Sequence, residues 1–411
     1  MMRYFAPMIK TVAVLLLLSA CDGVSSDTNE RRDIVLTKTE QALTNDANRF
    51  AFDLFRQIAR EDKNFFISPL SASLALSMTA NGAAGGTALE MKDVLGFGAY
   101  SFKDMNAYFE KMCTALPGAD KLTETGIANS IWIRNGFPVL DSFKETVRSY
   151  YLAEIANLDF SSPAAVKTIN DWCASKTNGK IDTIIEEIPA QMIMYLINAL
   201  YFNGTWTLEF SKDYSYDGPF MSEQGSSTIT RFMMQTGEFA YTANDYFAIA
   251  ELPYGNEAFS MIVLLPREGV IMDKALEGFT LDNWNRWLSG LSSSKSNLTV
   301  VLPKFIFKYE KDLIPTLQAM GMVLPFMEGA ADFGNLSPVG GLYIGLVKQK
   351  TYIDVSEKGT EAAAVTIVGV EKTASGPDDP IPFIVNKPYF YLIREKSTGA
   401  ILFMGRMIAP C

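Results

Sequence analysis

Apolar positions change their spacing along this chain, and the changes mark out its elements. Ala47, Phe50, Ala51, Leu54, Phe55 and Ile58 recur every three to four residues, as on an amphipathic helix, with Asn45 or Asp46 as its cap. Ser68-Pro69 opens a second helix, serine as cap and proline in the first turn. Its positions 71–80 are small enough for neighbours to approach the backbone closely, and Asn81-Gly82 stops it. Thr87 and Glu90 have the spacing of a capping box for a third helix running to Leu95. Strand patterns dominate later. Residues 259–265 are apolar but for Ser260, after a Gly255-Asn256 turn, and 298–307 is a strand candidate around Pro303. In residues 347–355 the odd positions Val347, Ile353 and Val355 are apolar and Gln349 and Thr351 uncharged, with Lys348 and Lys350 between them, the pattern of a half-buried strand. Residues 312–320 read as a helix closed by Gly321. Helices first, strands later and mixed connections predict an α+β fold. No linker divides it, so residues 41–411 are expected to form one domain.

The N-terminus has a different pattern. Arg3 and Lys10 precede an apolar run, 12–18, and then small residues, which reads as a secretory signal over 1–20. The run is far shorter than the ~20 residues of a membrane-spanning helix. Leu18-Ser19-Ala20-Cys21 looks like the lipobox of bacterial lipoproteins, which implies acylation of Cys21 and a lipid membrane as partner. Several acyl chains on one residue anchor stably. Residues 21–40 are polar and read as a flexible tether. The expected location is the bacterial cell envelope, outside the cytoplasm, on the outer membrane or cell surface.

Composition narrows the chemistry. The chain is 48% apolar and 20% charged, the profile of a large packed core. Its net charge of −10 argues against a nucleic-acid partner. There is no histidine, which excludes Ser-His-Asp and Cys-His hydrolases, His-ligated metal sites and histidine acid–base catalysis. Cys21, Cys113, Cys173 and Cys411 are widely spaced, with no C-x-x-C pair, so Cys113 and Cys173 read as buried free thiols. Ser292 and Lys295 have S-x-x-K spacing, but in a serine-rich stretch where that spacing arises by composition. Gly96-Phe97-Gly98 lacks the third glycine of a dinucleotide turn. No enzyme, metal site or cofactor is indicated.

Several segments, in order, resemble the serpin family: Asn64-Phe65-Phe66-Ile67-Ser68-Pro69-Leu70-Ser71, 198–206 (NALYFNGTW), Leu252-Pro253-Tyr254 with 260–266 (SMIVLLP), and Leu302-Pro303-Lys304-Phe305. Glu357-Lys358-Gly359-Thr360-Glu361-Ala362-Ala363-Ala364, Asn386-Lys387-Pro388-Tyr389-Phe390 and Leu402-Phe403-Met404-Gly405-Arg406 complete the series, which covers about residues 45 to 410. The resemblance implies a serpin-like single domain, helices packed around a large mixed central sheet plus smaller sheets, with an exposed reactive loop. It also implies an inhibitor that traps endopeptidases in a covalent one-to-one complex, as a monomer. In that family a protease cuts the loop, the freed stretch enters the main sheet as a new strand, and the acyl-linked protease is dragged along and distorted.

The hinge chemistry suits such a step. Gly359, Thr360, Ala362 and Ala364 are small; Thr360, Ala362, Ala364 and Thr366 share one strand face, while Glu361 keeps its charge on the other. About a dozen new ladder hydrogen bonds at ~0.5–1.5 kcal/mol each supply on the order of 10 kcal/mol. Residues 359–373, extended at ~3.3 Å each, span roughly 50 Å. By the family's usual count from Glu357, the cut falls between Thr373 and Ala374; a count shorter by one places it after Lys372. Lys372 suits a pocket with a buried carboxylate, hence trypsin-like enzymes, and Thr373 suits the smaller pockets of elastase- or subtilisin-like ones. Ser68, Ser71 and Asn198 match positions where two central strands part to admit the loop. Gln349 stands where the family often has a histidine, and cannot titrate near neutrality. Trp206 matches a tryptophan where insertion begins. The alternative function is a non-inhibitory serpin acting as a binding or carrier protein.

Overall fold

The computed structural model describes residues 31–293, 295–360 and 379–410. Helix α1 (Lys38–Ile58) leads to strand β1 (Phe65–Ile67), α2 (Pro69–Ala80), α3 (Gly85–Val94), α4 (Phe102–Ala115) and the long β2 (Thr123–Arg134). Next come α5 (Asp141–Tyr151), β3 (Glu154–Leu158), α6 (Pro163–Lys176) and β4 (Met194–Thr205). Four strands follow, β5 (Tyr216–Met221), β6 (Ser227–Ala243), β7 (Phe247–Tyr254) and β8 (Phe259–Pro266), then α7 (Met272–Gly278) and α8 (Leu281–Ser293). The chain closes with β9 (Lys295–Pro303), β10 (Phe305–Asp312), α9 (Ile314–Ala319), β11 (Lys348–Ser356), β12 (Gly359–Thr360), β13 (Ile381–Ile384), β14 (Tyr389–Glu395) and β15 (Ile401–Met407).

Two sheets result. A nine-stranded sheet runs β1-β15-β14-β8-β7-β6-β9-β13, with β5 on β6; a six-stranded sheet runs β10-β11-β12-β4-β2-β3. The run at 259–265 becomes β8, and every residue of β8, β14 and β15 is buried. Such strands sit mid-sheet because both faces are covered. α1 covers one face: Phe55 packs 4.9 Å from Phe65 and 5.1 Å from Phe390, ring centre to ring centre. α6 caps the six-stranded sheet over a separate apolar cluster that includes Trp132, Ile169, Trp172 and Cys173. Burial pushes the Cys173 thiol up to about 12, and Cys113 likewise, so both are free, buried thiols as expected.

Several boundaries differ from the sequence reading. α1 begins at Lys38 under a full capping box from Thr37 and Glu40, a turn and more before Asn45. Residues 31–40, expected within the tether, lie ordered on the body, with Ile34 buried and its N–H donating to Ser397 Oγ at 2.8 Å. A polar composition hid one buried isoleucine and a cap. Thr87 and Glu90 make no capping box, because α3 starts two residues before Thr87. They hold a distant loop instead: Thr87 Oγ1 accepts from Asp332 N at 2.9 Å, and the Glu90 carboxylate accepts from Val323 N and Leu324 N at 2.8 and 2.7 Å. The stretch 298–307 is two strands in different sheets, β9 and β10, parted at Lys304. Ser68, by contrast, caps α2 as its sequence suggests, its Oγ accepting from Ser71 N at 3.2 Å.

Glu90→Ala removes two charge-assisted bonds to backbone donors of the loop at Val323 and Leu324. Its unfolding free energy is expected to fall by about 1–3 kcal/mol in urea denaturation, whereas Glu90→Gln retains part of it.

Candidate functional site

The six-stranded sheet is incomplete. β2 pairs with β4 along its whole length, Thr123 with Gly204 at one end and Ile133 with Met194 at the other. β10 pairs with β11 from Phe305–Val355 to Asp312–Lys348. Between β4 and β11 lies only β12, bonded to β11 at Val355–Thr360 and Ser356–Gly359 and to β4 at Thr205–Gly359 and Gly204–Thr360. Beyond those two residues, the facing edges of β4 and β11 make no ladder among the described residues. They part over a cleft of about 690 Å³, lined by Ser71, Leu76, Asn198, Leu346, Gln349 and Thr351 among others. The small residues of α2 form its floor, the feature the sequence showed at 71–80.

The entry to the cleft is built from the hinge. The turn after β11 brings Gly359 so near β4 that a Cβ there would lie 2.0 Å from Gly204 O; only glycine fits. Thr360 turns inward, is buried, and shares a 2.6 Å hydrogen bond with the Tyr254 hydroxyl. Tyr254 stacks on Trp206, with ring centres 4.4 Å apart and planes within 12°. Trp206 Nε1 donates to Ser356 O at 2.9 Å and its backbone N–H to Lys358 O at 2.8 Å, so the indole frames the turn from which β12 starts. Glu357 is anchored by Lys304 Nζ at 2.9 Å and by Ser215 Oγ at 3.1 Å. Burial would raise its carboxyl, but hydrogen bonds from Lys304 and Ser215 and the ammonium charge outweigh that and hold it below its ordinary value of 4.5.

The middle of the cleft is where the gate residues meet. Gln349, buried on β11, makes a paired amide contact with the start of α2: Ser68 N donates to Oε1 at 3.0 Å, and Nε2 donates to Ser68 O at 2.8 Å. Thr351 Oγ1 donates to Phe66 O at 2.5 Å. The Ser68 hydroxyl donates to Leu402 O at 2.8 Å while serving as cap. Across the gap, Asn198 Nδ2 donates to Asn129 Oδ1 at 2.9 Å, and Asn129 Nδ2 to Tyr151 O at 2.6 Å. Asn198 Oδ1 is shielded from solvent and has no partner among the described residues. Ser71 lines the cleft beside these groups. The arrangement brings Ser68, Ser71, Asn198 and Gln349 together around one slot, and places Trp206, Glu357, Gly359 and Thr360 at its mouth. Glu361, Ala362, Ala363 and Ala364, the scissile candidates Lys372, Thr373 and Ala374, and Cys21 lie outside the described residues. Tyr254, Lys304, Asn129, Thr351 and Ser215 were not singled out from sequence. Tyr254 and Lys304 stood inside quoted motifs without a role, and nothing local marks the other three.

This fold agrees with known proteins. The family model described as Serpin (serine protease inhibitor) matches residues 45–410. An uncharacterized serpin-like protein of Thermococcus kodakarensis is 32% identical over 95% of this chain and 91% of its own. The native-state crystal structure of tengpin, a thermophilic serpin, superposes with a TM-score of 0.81 at 31% identity, covering 93% of this chain and 97% of that one. Human thyroxine-binding globulin complexed with its hormone superposes at 0.81 with 27% identity, over 90% and 99% of the two chains. The chain therefore belongs to the serpin family. Members of that family are mostly protease inhibitors, and some are not.

The Glu357 anchor predicts an acid sensitivity. Its carboxyl is depressed in the folded state, so its contribution is full above the ordinary value of 4.5 and is lost as pH falls through the lower folded value. Amide exchange at Gly359 and Thr360 should be independent of pH-linked anchoring from pH 5 to 8 and accelerate in acid beyond the intrinsic trend. Because Lys304 is partly exposed, Glu357→Gln is expected to speed that exchange only about fivefold at pH 7, and to remove the extra acid response.

Proposed function

We propose that this chain is a suicide inhibitor of serine endopeptidases that works by strand insertion. The observation that carries the reading is the gap between β4 and β11, into which the hinge has already entered by two residues in antiparallel register with both neighbours. Continuing that register sets Ala362 between Ile353 and Phe202, Ala364 between Thr351 and Leu200, and Thr366 between Gln349 and Asn198. The inward parity of Thr360 then buries Ala362, Ala364 and Thr366 and turns Glu361 outward. A hydroxyl at 366 arrives beside Asn198 Oδ1, the buried acceptor that lacks a donor. On the β4 side the same register runs to residue 370 opposite Met194. A cut after Lys372 or Thr373 frees enough chain to fill it, and a cut after Val368 does not. That limit is compatible with both candidates; the family's count puts Thr373-Ala374 first and Lys372 second as the scissile position, and these side chains suit trypsin-, elastase- or subtilisin-like enzymes as targets.

Full-length protein mixed with trypsin, elastase and subtilisin in turn should give a complex that survives a denaturing gel with at least one of them. The released C-terminal fragment should start at Ala374 or Thr373 by mass. Thr360→Arg puts a long cation into a site closed by Tyr254, and is expected to leave cleavage intact while abolishing the complex. Cleavage without complex by every protease, in the parent as in the variant, supports the carrier reading suggested by the hormone-bound relative.

We also propose that Cys21 is acylated and anchors the protein in the bacterial cell envelope, at the outer membrane or cell surface. Support comes from Leu18-Ser19-Ala20-Cys21 behind a short apolar run. Expressed in a bacterium, the parent should float with vesicles in a density gradient and Cys21→Ser should stay at the bottom; equal flotation of the two sinks the proposal.

A further inference from the structure

The hairpin of β5 and β6 carries an exposed apolar face whose members are set side by side by the strand register. Pro219 stands directly opposite Ile229, and Met221 opposite Ser227. Directly opposed side chains lie about 5 Å apart, and positions two apart on one strand share a face. Ile229 is 70% exposed and Met221 40%, with Pro219 exposed and next to both. The other face of the hairpin, with Gly218, Phe220 and Phe232, is buried, so one side is covered and one is bare. Charge stays at the margin of the bare side: Asp217 pairs with Arg231, its cross-strand partner, at 3.3 Å, and the Glu223 carboxylate accepts from Met272 N. Apolar side chains set edge to edge and rimmed by polar groups are the pattern of a protein contact surface.

The hairpin also touches both ends of the loop that a protease would cut. At its root, Ser215 Oγ donates to Glu357 at 3.1 Å. Arg231 O accepts from Lys304 N at 2.8 Å, and Lys304 Nζ holds the same glutamate at 2.9 Å. At its tip, Met221 N donates to Asn386 O at 2.8 Å, just past β13, the strand on which the chain returns. The described chain departs at Thr360 and resumes at Asp379. Residues 374–379, fully extended, reach at most about 20 Å, so a protease at either scissile candidate is held close to β13. A compact protease domain is roughly 45 Å across, wide enough to span β13 and the hairpin tip joined to its end. We propose, resting on the inhibitory reading above, that Pro219, Met221 and Ile229 form a second contact for the target endopeptidase, one with an apolar surface beside its cleft. The contact takes no part in the cut or the insertion. It speeds the encounter of a matching protease with the loop, and so sorts endopeptidases that accept the same residue before the cut.

The test measures the second-order rate at which trypsin, elastase and subtilisin each attack the loop of the full-length protein, counting trapped and cleaved product together. The number of inhibitor molecules consumed per protease trapped is measured alongside. Ile229→Glu is expected to slow attack by at least one of the three about tenfold, and Ile229→Ala about threefold, with the position of the cut and the number consumed unchanged. Leu89→Glu adds the same charge at a 59% exposed site on α3, and should change each rate less than about twofold. Rates unchanged by Ile229→Glu for all three proteases, or lowered as much by Leu89→Glu, overturn the contact. A rise in the number consumed at an unchanged rate of attack assigns Ile229 to the insertion step and overturns it too. A parent that is dimeric by light scattering and monomeric as Ile229→Glu gives the face to a second copy, with the same consequence. Cleavage of the parent by all three without trapping sinks the inhibitory reading, while the rates of attack judge the contact separately.

Discussion

A sheet with two unbonded interior edges is the constraint on which this molecule is organised. From Met194 to Leu200 on β4 and from Lys348 to Thr351 on β11, the facing edges line a cleft and pair with no strand among the described residues. Edges of that kind ordinarily pair with whatever strand is available, because unpaired backbone groups cost free energy and extended neighbours supply the bonds. Here they are kept apart by contacts made on their flanks. Gln349 and Thr351 tie β11 to the backbone of Ser68 and Phe66, and Asn198 leans the other way, onto Asn129 of β2. The small floor of α2 leaves the space open between them.

The groups holding the gap are neutral: amides and hydroxyls, with no histidine among them. Such contacts can exchange partners without taking up or losing a proton, so the gate itself should be indifferent to pH near neutrality. Charge is confined to the mouth, where Glu357 and Lys304 fix the turn that starts β12. The division is a sensible one for the proposed insertion. A strand sliding into the cleft would meet hydrogen-bond partners along its way and would not have to desolvate an ion pair.

Much of this was legible in the chain. Ser68-Pro69 is a local cap and was read correctly because capping needs only neighbouring residues. The run at 259–265 became a fully buried strand, and the alternation at 347–355 became a half-buried one, because period and burial are coupled in any sheet. Gly359 and Thr360 were chosen for size and parity, and both properties are what their positions between β4 and β11 demand. Where the reading failed, a local pattern had been recruited elsewhere. Thr87 and Glu90 have the spacing of a cap but bind a loop more than 230 residues away in sequence. Residues 31–40 are polar, yet one isoleucine and a capping threonine suffice to order them.

The sequence by itself determined the cap and course of α2, the strands at 259–265 and 347–355, the small-residue floor, and the exclusion of histidine-based catalysis. All of these follow from residue type and short-range spacing. Tertiary structure alone decided that β4 and β11 stand apart, that Gln349 reaches the backbone of Ser68, and that Tyr254 closes over Thr360. Each of those joins residues far apart along the chain, and a side chain's partner across such a distance is set by how whole elements pack, which no local pattern encodes.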